Sequence, residues 1–185
     1  MQMGLKLLPT LGWAKVFIMK IKCLILSDTH GNGALVARVL RMHRDVDAVF
    51  FLGDGLSDIA SFADGDTNSS WFFVRGNCDF TTIVRGTEAP LVDSVSFGGV
   101  KIVLTHGHMY GAKAGLDGLV SLAEDRGAKL ILFGHTHRQT EIYSGGVYYF
   151  NPGSLSYSYG SAPSFGLLTV DEDSGEVLLS HGMFL

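Results

Sequence analysis

Residues 20–40, KIKCLILSDTHGNGALVARVL, decide how the rest of the chain is read. Lys20 to Ser27 is a near-continuous apolar run, the pattern of a strand covered on both faces. Gly31 to Gly33 then opens a segment in which Leu35, Val36, Val39 and Leu40 recur at helical spacing. The stretch is therefore a β-loop-α unit, and its loop carries Asp28 and His30. Outward from it the unit recurs: Val46 to Leu52 reads as a strand, Gly53-Asp54 as its loop, and Leu56 to Phe62 as a short helix. Trp71 to Arg75 gives a third strand, leading into Gly76-Asn77-Cys78-Asp79.

The pattern then changes. Val92 to Phe97 and Val100 to Thr105 flank Gly98-Gly99, a hairpin signal. Ala114 to Arg126 places Leu116, Leu119, Val120 and Ala123 on one helical face and stops at Gly127, before a buried strand from Lys129 to Phe133. Glu141 to Tyr143, Val147 to Phe150, Phe165 to Val170 and Val177 to Ser180 alternate with turns and leave no room for a helix. Parallel units followed by antiparallel hairpins predict an α/β (α+β) fold: two mixed β-sheets packed as a sandwich, with helices on the outer faces.

The 185 residues fit one domain, and 46% hydrophobic content with 12 Phe suffices for a packed core. A net charge of -4 argues against a sequence-independent grip on nucleic acid, so no stable nucleic-acid complex is expected. Two cysteines, Cys23 in an apolar strand and Cys78 in a loop, imply no disulfide framework, and a reducing cytoplasm is the simplest home. No stretch approaches the roughly 20 apolar residues of a membrane span. Residues 1–18 hold lysines, Pro9, Gly12 and Trp13 and precede a second start at Met19, so they read as an N-terminal extension to a domain spanning 19–185. A signal-peptide reading of Leu7 to Ala14 is broken by the proline.

Asp28, Asp54, Asn77, His106 and His135 each sit at or just after a strand end, where open α/β sheets collect ligands, and His30 and His137 follow in the same loops to complete seven candidate metal ligands. An Asp or Asn in such a place also serves as a turn or helix cap, and the two readings are compatible. Gly134-His-Thr-His137 is the more specific item, with two histidines at i and i+2 beside a glycine turn. Seven oxygen and nitrogen donors without a thiolate set suit a pair of borderline divalent ions rather than a zinc finger. Two such ions serve phosphoester hydrolysis, in which they activate water and clamp the attacking and leaving oxygens. His108 reads as a supporting residue, and His43 and His181 as surface groups.

In order and spacing, D-x-H, GD, GN-x-D, H-G-H, GHTH and Asn151-Pro-Gly-Ser154 resemble the calcineurin-like metallophosphoesterases, and within them the small single-domain phosphodiesterase branch. The resemblance covers Met19 to Leu185. It implies that Asp28, His30 and His137 hold one ion, that Asn77, His106 and His135 hold the other, and that Asp54 bridges them, with a bridging hydroxide as nucleophile. It further implies two divalent metal ions, manganese first with nickel, zinc or iron as alternatives, and a phosphodiester substrate of small-molecule or nucleotide type. Cys78 stands where many larger relatives have a histidine that orients phosphate or protonates the leaving group, so it is both a candidate catalytic thiol and a candidate packing residue. Arg138, Tyr157 and Tyr159 fall in loops near the metal edge. A non-catalytic protein scaffold like the retromer subunit of this fold and a nuclease are the alternatives to carry forward, and assembly as a homo-oligomer is left open. The intact ligand set favours catalysis, because buried charged ligands without an ion repel one another.

Overall fold

The structure is a computed structural model that describes residues 20–80, 82–156 and 161–184. Residues 1–18 and the loop residues Tyr157 and Tyr159 lie outside the described residues.

One five-stranded sheet has the order β12-β11-β1-β2-β3, from β1 (Lys20–Leu26), β2 (Ala48–Phe51), β3 (Ser70–Phe73), β11 (Ser164–Asp171) and β12 (Val177–Met183). The second has the order β6-β7-β8-β10-β9, from β6 (Val92–Phe97), β7 (Val100–Thr105), β8 (Leu130–Phe133), β9 (Gln139–Ser144) and β10 (Val147–Pro152). β1, β2 and β3 run parallel, as do β7, β8 and β10, while β11, β12, β6 and β9 join antiparallel at the edges. Both sheets are mixed, as the sequence predicts.

The side-chain period of two explains why β1 reads as a continuous apolar run. Cys23 and Ile25 face the other sheet and, with Phe50 of the neighbouring β2, meet Ile102, Leu104, Leu132 and Phe150. Leu24 and Leu26 face outward onto α1 (Gly33–Met42) and α2 (Leu56–Gly65), meeting Val36, Val39 and Ile59. On the far side of the second sheet, α3 (Asp117–Arg126) covers Val103, Ile131 and Phe133 with Leu119, Leu122 and Ala123. The order of layers is helix, sheet, sheet, helix. Burying each Leu, Ile or Phe of these layers contributes about 1.5–3 kcal/mol.

Three details differ from the sequence reading. The helix expected from Ala114 begins at Asp117, because Gly111 and Gly115 are left-handed or extended at positive φ and a 3-10 turn (His108–Tyr110) precedes them. A two-stranded ribbon, β4 (Ile83–Val84) and β5 (Thr87–Glu88), turns at Arg85 and Gly86, both with positive φ. His43 and His181 are half-buried rather than surface groups: His43 meets Phe165 at a ring distance of 5.1 Å, and His181 stacks on Phe150 at 4.4 Å while its Nε2 lies 2.8 Å from the Asn151 carbonyl.

Candidate metal centre

The carboxyl ends of both parallel strand sets open at one edge of the sandwich, and backbone bonds lash their loops together. Asp28 N–H donates to Gly53 O (3.0 Å), His30 N–H to Asp54 O (3.3 Å), Gly134 N–H to His106 O (3.2 Å) and Leu155 N–H to Ser27 O (3.1 Å). Among the described residues six non-glycine residues have positive φ, and five of them are predicted ligands: Asp28, His30, Asp54, His135 and His137, at 44° to 66°. Non-glycine residues avoid this region at a cost of about 1–3 kcal/mol each, and such strain gathers at functional sites.

Glycines make the close approach possible. A Cβ on Gly76 would lie 2.1 Å from Asp54 Oδ1, and one on Gly134 would lie 2.1 Å from Ser27 Oγ and 2.9 Å from Asp28 Oδ2. The glycines paired with Asn77 and His135 in the sequence thus set backbone against carboxylate.

Asp28 is fully buried. Its Oδ2 accepts from Ser27 Oγ (2.5 Å) and from His135 N–H (3.1 Å). Among the described residues its Oδ1 has no hydrogen-bond donor, although His137 Nε2 lies at 3.1 Å, His30 Nε2 at 3.9 Å and His106 Nε2 at 4.0 Å. His30 and His137 Nε2 are themselves 3.1 Å apart. A buried carboxylate oxygen facing three imidazole nitrogens is costly unless a proton or a cation lies between them.

His106 repeats the pattern. Its Nδ1 lies 2.7 Å from the Leu52 carbonyl and must donate to it, so Nε2, 3.4 Å from Asp54 Oδ2, is the nitrogen that gains or loses a proton. Metal-bound histidines are oriented by such a carbonyl. Burial disfavours the His106 imidazolium, yet the bond to Asp54 and the charges of Asp28 and Asp54 outweigh it and raise its pKa. Burial likewise works against the Asp54 carboxylate, but His106 and the N–H of Cys78 (2.7 Å to Oδ1) hold it well below the usual carboxylate range.

Donor atoms of Asp28, His30 and His137 lie within 4.8 Å of one another, as do those of Asp28, Asp54 and His106, and of His30, Asp54 and Cys78. The structure therefore brings together five of the seven predicted ligands as two clusters sharing Asp28, with Asp54 Oδ2 also 4.0 Å from His30 Nε2. His135 stands beside them, its ring 5.1 Å from that of His106. Burial pushes its imidazole down to about 4, and the charges of His106 and Lys113 act the same way. Asn77 is exposed, its amide nitrogen 3.1 Å from Cys78 Sγ. Cys78 is exposed as well, and partial burial followed by the hydrogen bond and charge of Asp54 raises its thiol pKa, keeping it protonated. His108 packs its ring 5.4 Å from His106, consistent with a supporting position. Two carboxylates and three or more imidazoles in this arrangement fit divalent cations.

Residues with no assigned role in the sequence reading hold this frame. Asp79 accepts four backbone N–H groups, from Asp54 and Gly76 at Oδ2 (2.8 and 2.7 Å) and from Gly55 and Leu56 at Oδ1 (both 2.8 Å). It thereby caps α2, whose N-cap Gly55 has no side chain; a Cβ there would strike Thr29 Oγ1. Asp58, from the first turn of α2, accepts from Thr29 Oγ1 and from Gly31 N–H. Asn151 donates to Gly134 O (2.7 Å) and Thr136 Oγ1 (3.1 Å), and Ser154 Oγ donates to Asp28 O (2.8 Å). The Asn-Pro-Gly-Ser run was visible in sequence, but its partners lie up to 126 residues away and only the fold reveals them.

A family model, the calcineurin-like phosphoesterase superfamily domain, matches residues 19–173. A probable metallophosphoesterase of Bacillus subtilis, YsnB, is 30% identical over 156 residues, covering 83% of this chain and 87% of that protein. Phosphodiesterase YfcE of Escherichia coli K12 is 28% identical over 170 residues, covering 82% and 89%. A solved structure of a predicted phosphoesterase from Streptococcus pneumoniae TIGR4 superposes with a TM-score of 0.67 at 25% identity, covering 90% of this chain and 99% of that one. The fold is shared at a TM-score of 0.72 and 18% identity with Vacuolar Protein Sorting 29 from Cryptosporidium parvum, over 89% of this chain and 98% of that one.

Proposed function

The chain belongs to the calcineurin-like phosphoesterase superfamily, and from that premise we propose that it hydrolyses phosphodiester bonds with the help of two divalent metal ions. The observation that carries this reading is the buried Asp28 Oδ1, without a hydrogen-bond donor among the described residues and facing the Nε2 atoms of His137, His30 and His106. Asp28, His30 and His137 would hold one ion and Asn77, His106 and His135 the other, with Asp54 common to both. Bound there, manganese or a similar ion supplies a water of lowered pKa and positive charge for the phosphate.

The chain's own groups prepare that chemistry. Leu52 O holds the proton on His106 Nδ1 so that Nε2 is the nitrogen facing the site once its own proton is displaced, and the low pKa of His135 keeps its imidazole neutral. Ser27 Oγ and His135 N–H occupy one Asp28 oxygen and aim the other inward. In the overall reaction the water oxygen bonds to phosphorus, one ester P–O bond breaks, and the departing oxygen takes a proton. Cys78 is a candidate for delivering it, since its thiol stays protonated, though S–H is a weak donor. That favours esters with good leaving groups.

Residues 19–185 form the catalytic domain in this reading, with 1–18 as an extension. No helix among the described residues is long and apolar enough to cross a membrane, and the free thiols Cys23 and Cys78 support a reducing cytoplasm.

The test pairs elemental analysis of the purified protein with hydrolysis of bis(p-nitrophenyl) phosphate by the wild type, Asp54→Ala and His135→Ala. Wild type should bind metal above both variants and lose at least roughly 100-fold in rate on either substitution. The likeness to a Vacuolar Protein Sorting 29 of Schizosaccharomyces pombe, 26% identical over 122 residues, supports a second reading as a protein-binding scaffold. Metal binding without turnover of any diester would favour it.

A further inference from the structure

A groove of about 550 Å³ opens beside the loop that carries His135 and His137. Thr136, which stands between those two histidines, lines it, so the groove shares a wall with the candidate metal centre. The half-buried Leu116 gives it an apolar surface, over the buried Ala112 and Phe133, and Lys113 and Arg138 add two cations. Both cationic side chains are exposed. Among the described residues the ion pairs formed by lysine and arginine are Lys22–Asp45 and Arg75–Glu88, so neither Lys113 nor Arg138 has a carboxylate partner. Two uncompensated cations flanking one groove beside an apolar surface suit an amphipathic anion.

We propose that this groove is an anion subsite for the substrate, receiving an ester arm that bears a second anionic group. The proposal rests on the phosphodiesterase reading and narrows its substrate class. The organic part of the arm lies against Leu116, and its phosphate or carboxylate pairs with Lys113 and Arg138, bidentately in the case of the guanidinium. A cyclic mononucleotide, whose only phosphate must sit at the metals, leaves the cations unused. A linear diester carrying a further phosphate, such as a terminally phosphorylated dinucleotide, satisfies both.

A matched substrate pair tests this: the p-nitrophenyl ester of thymidine monophosphate, with and without a phosphate on the free sugar hydroxyl. The wild type should prefer the phosphorylated ester by about 10-fold or more in kcat/KM, and the Lys113→Ala/Arg138→Ala double variant should lose most of that preference. A carboxymethyl group in place of the added phosphate distinguishes the two anions, and a preference for either supports the subsite. Calorimetry on the metal-free protein gives a readout independent of turnover: thymidine bisphosphate should bind about 10-fold more tightly to wild type than to the double variant. If the plain ester is cleaved but preference and binding are the same in both proteins, the subsite is overturned while the hydrolytic reading stands. If no ester is cleaved and the binding difference persists, the hydrolytic reading falls and the anion site remains.

Discussion

Asp79 is the residue on which most of the site's geometry turns, although it touches no candidate ion. One carboxylate accepts four N–H groups from the Asp54 loop, the Gly76 loop and the first turn of α2. Asp79→Ala leaves these donors without their acceptor and should cost about 2–4 kcal/mol, read as a lower denaturation midpoint together with weaker manganese binding. Normal stability and metal affinity would show that other groups hold the loops. The motif itself was legible as Gly-Asn-x-Asp, but a carboxylate's partners are set by how two loops meet, which no local pattern encodes. The two thiols make a second residue-scale prediction. Burial pushes Cys23 up to about 12 from an ordinary 9.0, whereas Cys78 is exposed. Iodoacetamide at neutral pH should modify Cys78 and spare Cys23 until denaturant is added, as peptide mass mapping will show. The sign for stability follows: between pH 9.0 and about 12 the unfolded chain releases the Cys23 proton and the folded chain does not, so stability falls as pH rises through that window.

At the scale of elements, the long buried strands were legible because apolar continuity survives in any one sequence, and every strand from Lys20 to Phe133 that forms a sheet centre was found that way. The β4–β5 ribbon was not, since two-residue strands have too few positions to show alternation. The start of α3 was misread for a different reason. Leu116 belongs to the apolar periodicity but lies before the helix as its N-cap, and Gly118 packs where a Cβ would fall 2.2 Å from Tyr110 O, so tertiary contact sets the boundary. One tight meeting of elements is where the end of β8 presses on the end of β1. Gly134→Ala should destabilise the fold by about 1–3 kcal/mol by displacing Ser27 Oγ from Asp28. Adding Ser27→Ala should recover part of that loss, and a double-mutant cycle by denaturant titration measures the coupling. Strictly additive effects would place the strain elsewhere.

At the scale of the whole molecule, both sheets converge on one cluster of charge, so ion binding should stabilise the entire domain. At a hundredfold excess over Kd the gain is about 2.7 kcal/mol, which for a chain of this size is a rise of roughly 5–10 °C in Tm. The pH dependence has opposite signs in the two forms. Without metal, the raised pKa of His106 contributes stability that is complete below the ordinary histidine value and is lost as pH rises through the raised one. Metal must displace that proton, so the increment from manganese should grow as pH climbs. Thermal denaturation with and without manganese across pH 5.5 to 8.5, a span of roughly three units about the histidine range, checks both signs. An increment independent of pH would mean that His106 is not displaced from its proton.

The left-handed backbone at five candidate ligands has a consequence for how such a chain ages under mutation. His30 is exposed with φ of 44°, so replacing it by glycine removes a strained conformer while forfeiting little packing. Stripped of metal, His30→Gly should melt no lower than its parent. Selection for durability alone would therefore erode this edge of the molecule, and only a continuing demand for what the ions do would keep those imidazoles in place.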